Sequence, residues 1–228
     1  MINEVLEVRL EGWTATPRLP FVVSGNSVCM PVPSYSCILG IIGCCLGRLI
    51  EPNEVKLGYH YKFDTTAIDL ETRHRLILDG TRIKAHAKGT DAHMREFHTS
   101  PYLTIWLNRT DWQEFFDEPI GTPSLGRSQD VLFIKSKSVR RISVESVSSA
   151  MIGGTMLPFK SGLQMAGQLV QIAEAYREND EIGQGRIATK SQIFIAIPSE
   201  AKSEVKIPNL FQTTDENPKA FYLHDFQN

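Results

Sequence analysis

Residues 34–49, SYSCILGIIGCCLGRL, constrain the fold more than any other stretch. Ile38, Leu39, Ile42, Cys45, Leu46 and Leu49 recur at helical spacing and make one apolar stripe. Pro31 and Pro33 restrict the entering chain, and Ser34 or Ser36 can accept from the free amides of the first turn. The pattern predicts a helix over 34–49. The apolar run Cys37–Gly47 is eleven residues, too short to span a bilayer. Gly40, Gly43 and Gly47 stand three and four apart, and each interior glycine costs roughly 1 kcal/mol against alanine. Close packing on their face is expected, against a sheet or a neighbouring chain.

Elsewhere the period is two. Val5–Glu11 alternates, with Leu6, Val8 and Leu10 on one side and Glu7, Arg9 and Glu11 on the other. Strands are predicted over 55–61, 102–107, 131–134, 139–147, 192–197 and 221–226. A short helix is predicted over 111–116 and a longer one over 166–177. Residues 198–217, rich in Lys, Glu and Pro, read as an exposed segment. Asp79-Gly80 between RHRLIL and TRIKAHA predicts a hairpin. Its arms are too polar for a core, so it is expected to project.

Charge is local rather than global. The 228 residues carry 24 Lys/Arg and 26 Asp/Glu, a formal charge of −2, which excludes a protein that coats nucleic acid with its whole surface. Residues 73–95 hold six Lys/Arg against two Asp/Glu, and residues 127–141 hold five against one, each a local +4. With 42% hydrophobic residues, a chain of this length can bury about 70% of its surface and needs no staple. Cys29, Cys37, Cys44 and Cys45 form no CxxC pair and read as reduced thiols. His86, His93 and His98 match no common metal spacing and read as part of a solvated segment able to touch an anion. The amino-terminal sequence has no apolar signal region, so the expected location is cytoplasmic.

Three windows carry binding chemistry. Ser34, Tyr35 and Ser36 offer hydroxyls and a stacking ring at a helix entrance. Arg127, Ser128 and Gln129 follow Gly126 in a turn-rich loop. Arg73 and Arg75 line one hairpin arm, while Arg82, Lys84, His86 and Lys88 alternate along the other as a phosphate track. A weaker constellation, Tyr59, His60, Tyr61 and Lys62, holds the groups of a metal-independent ribonuclease, but His60 faces away from both tyrosines on a strand. No hydrolase, metalloprotease or phosphate-loop motif is present, and no cofactor or metal is expected. The order of elements predicts an α+β fold, a split β-α-β sandwich of ferredoxin type with the hairpin inserted.

Taken together, LEVRLEGWTATPR at 6–18, PVPSYSCILGIIGCCLGR at 31–48, residues 70–109, LGRSQDVLFI at 125–134 and GGTMLPF at 153–159 resemble the small thumb-bearing subunit of type I CRISPR Cascade complexes, the fifth CRISPR-associated protein family. The likeness is nearest to subtype I-B or I-D members, including transposon-linked ones. It implies a single domain over 1–228, of modified ferredoxin-like, RNA-recognition-motif type, with a β-hairpin thumb at 70–100. It also implies a non-catalytic subunit that binds the 5′ handle of the guide RNA. Such a subunit contacts the adjacent backbone subunit and the large subunit, and meets target DNA within the complex, with no membrane role. By position, Ser34–Ser36 and Arg127–Gln129 would meet the handle and Arg73–Lys88 would form the thumb. One family branch matures guide RNA with a Tyr/Lys/His set, and a protein-only scaffold role is a further alternative.

Overall fold

The computed structural model describes residues 2–20, 26–160, 165–179 and 185–227. The chain order is β1 (Glu4–Gly12), β2 (Thr14–Ala15), β3 (Asn26–Ser27), α1 (Tyr35–Leu46), β4 (Leu57–Lys62), β5 (Thr66–Asp79), β6 (Arg82–Thr99) and β7 (Tyr102–Leu107). Then follow α2 (Gln113–Asp117), β8 (Leu132–Ser146), β9 (Ala150–Ile152), β10 (Thr155–Pro158), β11 (Gln168–Ala173), β12 (Tyr176–Glu178) and β13 (Arg186–Ala188). The last strands are β14 (Ser191–Ile197), β15 (Ser203–Val205), β16 (Leu210–Thr213) and β17 (Ala220–Tyr222). Among the described residues strand makes up 53% and helix 11%, so sheet edges and faces, not helix pairs, shape the molecule.

The central sheet has the order β17-β16-β8-β1-β7-β4 with antiparallel neighbours. A bridge between Leu57 and His224 brings the two edges together and nearly closes it. The alternation of β1 works as the sequence requires. Leu6, Val8 and Leu10 enter the main core with Tyr59, Tyr61, Leu103 and Ile105, beneath α1 and the sheet β10-β14-β11. Glu7, Arg9 and Glu11 lie on the outer face, opposite Trp106, Thr104 and Tyr102 of β7.

Helix α1 starts at its serine cap. Ser34 is extended (φ −71°, ψ 157°) and its hydroxyl accepts from the Cys37 amide. The helix ends three residues earlier than the spacing predicts, because Gly47 adopts φ 68° and its amide donates back to Cys44. The three glycines do not share one neighbour. A Cβ at Gly43 would lie 2.7 Å from the Arg48 carbonyl oxygen and one at Gly47 2.8 Å from Ile120, whereas Gly40 faces open space.

Other expectations change. Residues 166–177, expected as a helix, form β11 and part of β12, because β14 and β13 offer them strands to pair with. The two strands predicted at 131–134 and 139–147 are one strand, β8, kinked where Lys137 takes φ 67° and the register with β1 slips. Residues 198–217 are not uniformly exposed. They contain β15 and β16, and Leu210 is fully buried. Among the described residues no helix is long and apolar enough to cross a membrane.

The hairpin projects as its polarity demands, and residues 76–85 are exposed. Its turn is Gly80-Thr81, closed by the pair Asp79 and Arg82, with Gly80 at φ 59°. Farther down, His86, Ala87, Lys88 and Gly89 oppose the single residue Arg75, a bulge made possible by Gly89 at φ 65°.

Candidate nucleic-acid interface

The bulge rearranges the expected phosphate track. Arg82 and Lys84 share a face with Asp79, to which Lys84 is ion-paired. His86 and Lys88 fall inside the bulge, where the Lys88 amide donates to His86 Nδ1 at 3.0 Å. The regular row therefore stops after Lys84, because four residues facing one cannot keep period two. Arg75 pairs with Asp91 at 2.7 Å. The side chain of Arg73 lies outside the described residues. Near the tip, the opposite face of the hairpin is apolar: Leu76, Leu78 and Ile83 are 62%, 74% and 71% exposed.

The thumb base is anchored. Arg95 is buried and donates to Glu71 and Ser27, with His93 alongside. His98 does not belong to a solvated segment. It is 2% exposed, stacks on Phe63 at 3.6 Å and meets the Tyr61 hydroxyl at 2.9 Å. Burial pushes its pKa down to about 4, so it is neutral at pH 7.

The loop after Gly126 meets that base. Arg127 bonds through its backbone amide, Nε and Nη2 to Asp130, lies 3.9 Å from Glu71 and reaches over the Phe97 ring. Asp130, fully buried, also accepts from Thr14 and Thr16 at 2.7 and 2.6 Å. Arg127 is thus a brace rather than a free hook, while Ser128 and Gln129 are exposed beside it. Gly126 sits at φ 113°, and a Cβ there would lie 2.1 Å from Thr16 Oγ1. Gly126→Ala should therefore destabilise the protein by about 2 kcal/mol or more, read as a lower denaturation midpoint with an unchanged slope.

The helix entrance differs most from expectation. The Tyr35 ring is 1% exposed, stacks on His224 at 4.2 Å, and donates its hydroxyl to the Met156 carbonyl at 2.7 Å. It offers no surface for a base, because the ring is what fills the core under α1. Ser34 is buried as the cap, its hydroxyl 2.9 Å from that of Ser36, which is half-buried. Among the described residues no hydrogen bond or ion pair joins this entrance to the thumb or to Arg127–Gln129.

The outer sheet face brings His60 and Lys62 beside groups that the sequence did not join to them. Three cross-strand rows run Lys62–Tyr102–Glu11–Phe133, His60–Thr104–Arg9 and Gly58–Trp106–Glu7–Arg140. Glu7 is fully buried. Trp106 Nε1 donates to it at 3.1 Å and Arg140 Nε at 2.9 Å, with Arg9 at 2.6 Å. Burial alone would raise its pKa, but Arg140, Lys219 and Arg9 together hold it below the usual carboxylate range. Period two would have placed the β4 and β7 members of these rows on one face. It says nothing of which strands stand side by side.

No protein-family model and no curated protein matches the chain. Among solved structures it is similar to a chain of a CRISPR RNA-guided surveillance complex. The identity is 16%, the match covers 86% of this chain and 92% of that one, and the TM-score is 0.52. The shared property is the fold. Two weaker likenesses carry no argument: a CRISPR protein from Archaeoglobus fulgidus (9% identity, 97% and 100% covered, TM-score 0.49) and a chain of the type III-B Cmr-beta complex bound to cognate target RNA (10%, 86% and 85%, 0.48).

Proposed function

We propose that this chain is a non-catalytic subunit of a CRISPR RNA-guided surveillance complex and holds the 5′ handle of the guide. The observation that carries the reading is the projecting thumb, whose basic side chains stand over a base braced to the Gly126–Asp130 loop. The fold likeness to a surveillance-complex chain over most of both lengths supports it. So does the order β8-β1-β7-β4 around α1 and α2, which fits a modified ferredoxin-like sheet with the thumb inserted between β4 and β7.

The two faces of the thumb tip divide the partners. Arg82 and Lys84 turn to the phosphates, and Leu76, Leu78 and Ile83 turn to the backbone subunit, where burial of exposed apolar surface favours docking. The large subunit and target DNA meet other surfaces of the assembled particle. The ribonuclease set that the sequence offered is not assembled: Tyr59 and Tyr61 are buried in the core, while His60 and Lys62 lie on the far face of the same strand. The four groups cannot meet one scissile phosphate.

Replacing Arg82, Lys84 and Lys88 together with alanine should weaken guide retention, reduce its salt dependence and leave the melting temperature unchanged. Full retention at physiological salt would remove the thumb from the RNA path. Incubating the protein with repeat RNA in EDTA should give no cleavage; cleavage abolished by His60→Ala would overturn the non-catalytic reading.

A further inference from the structure

The root of the thumb opens onto a cavity that none of the three windows includes. It has a volume of about 620 Å³, and His60, Lys62, Tyr102, Met151, Lys202 and Lys219 line it with Thr104 and Gln212. That size falls in the range of roughly 300–1,000 Å³ typical of small-molecule sites. Its floor is the outer sheet face, where Trp106 stacks on Phe221 at 4.4 Å. Its wall comes from β9 and the turn before β15, which hold Met151 and Lys202. β4 leaves this cavity and becomes the first thumb strand within four residues; β6 returns to β7 just as directly.

The charge is one-sided. Among the described residues, Lys62 and Lys202 are exposed and ion-pair with no carboxylate, while Lys219 lies 3.7 Å from Glu7. The Lys62 ammonium stands 5.2 Å from the centre of the Tyr102 ring. His60 is held by backbone: a Cβ at Gly154, which has φ 67°, would come within 2.8 Å of its ring. Burial first, then Lys202, Lys62 and Lys219, push its pKa down to about 4. Its ring is therefore a neutral donor and acceptor in an otherwise cationic site.

We propose that this cavity seats one unstacked nucleotide of single-stranded RNA, with its phosphate on Lys62 and Lys202 and its base on Tyr102. His60 and the Gln212 amide then face the polar edge of the base. Two unpaired amines beside an aromatic ring suit a phosphate joined to a π-face, the combination that single-strand binders use. That the strand is the guide rests on the reading above; the nucleotide class does not.

The test uses the full chain and a fluorescein-labelled single-stranded RNA of about ten nucleotides. Lys62→Gln with Lys202→Gln should lower affinity about tenfold at about 0.15 M salt. The plot of log affinity against log salt should become shallower by about 0.7, for the one phosphate no longer neutralised. Tyr102→Ala should lower affinity roughly 5- to 150-fold, Tyr102→Phe should retain it, and ultraviolet crosslinking of the parent should mark the peptide containing Tyr102. If the double-lysine variant binds like the parent while the thumb variant binds weakly, the cavity is not a nucleotide site and the guide-holding reading stands. If both bind like the parent, both ideas fall. Unchanged binding by Tyr102→Ala with no crosslink there also overturns the proposal, and leaves the lysines as surface charge.

Discussion

Tyr35→Ala should cost about 3–5 kcal/mol, a large share of the roughly 5–15 kcal/mol that keeps a domain folded. The reason is burial. The ring packs against His224, Tyr59, Phe194 and Phe226 at once, and its hydroxyl satisfies the Met156 carbonyl. Removing it leaves a cavity beneath the first turn of α1 and an unpaired acceptor. For a chain of this length the expected fall in melting temperature is about 6–20 °C. Tyr35→Phe keeps the ring and loses one hydrogen bond, about 1 kcal/mol. Its RNA affinity should equal that of the parent, because the hydroxyl never reaches solvent. A Tyr35→Ala protein that melts like the parent but loses RNA would return this residue to the binding surface.

Asp130→Ala should be nearly as severe, at about 3 kcal/mol. The change leaves the hydroxyls of Thr14 and Thr16 and much of the Arg127 side chain without their acceptor. Arg127 is 15% exposed and can turn partly to water, which keeps the cost below that of a sealed ion pair. The pH dependence has a definite sign. Burial would raise the Asp130 pKa, but the bonds from Arg127, Thr16 and Thr14 outweigh it and hold the folded value below the usual 3.8. Its contribution is therefore complete above the unfolded pKa and is lost as pH falls through the lowered folded value. Chemical denaturation from neutral pH down into the acid range should show a steep limb in the parent and a shallower one in Asp130→Ala. The same variant should loosen Ser128 and Gln129, so on the proposed function guide retention should fall with stability. Equal acid limbs in the two proteins would mean that this carboxylate is not the brace.

Much of this architecture is local and hence readable. Period two separated Leu6, Val8 and Leu10 from Glu7, Arg9 and Glu11, and the structure keeps that division between core and outer face. Ser34 capped its helix because a side-chain oxygen at that position needs only the next three residues. The hairpin projected because a polar arm has no core to enter, and its turn moved by one position without disturbing that conclusion.

What failed did so for a shared reason. The 166–177 helix lost to a strand because β14 supplied backbone partners that propensity cannot foresee. The Lys/His row broke because Gly89 at φ 65° permits a bulge, and nothing in the alternation announces one. Tyr35 reads equally well as a stacking ring or a core ring, and its fate depended on β10, more than a hundred residues away.

By itself, then, the order of residues determined the secondary pattern, the cap, the basic arm and the local excess of charge, all set by spacing within a few positions. The tertiary structure alone decided which polar groups face each other. Lys62, Tyr102, Lys202 and Lys219 share one cavity only because β4 pairs with β7 and the segments after β14 fold back beside them. Side-chain meetings across that much chain depend on strand pairing and on how the sheets pack, and no local period encodes either.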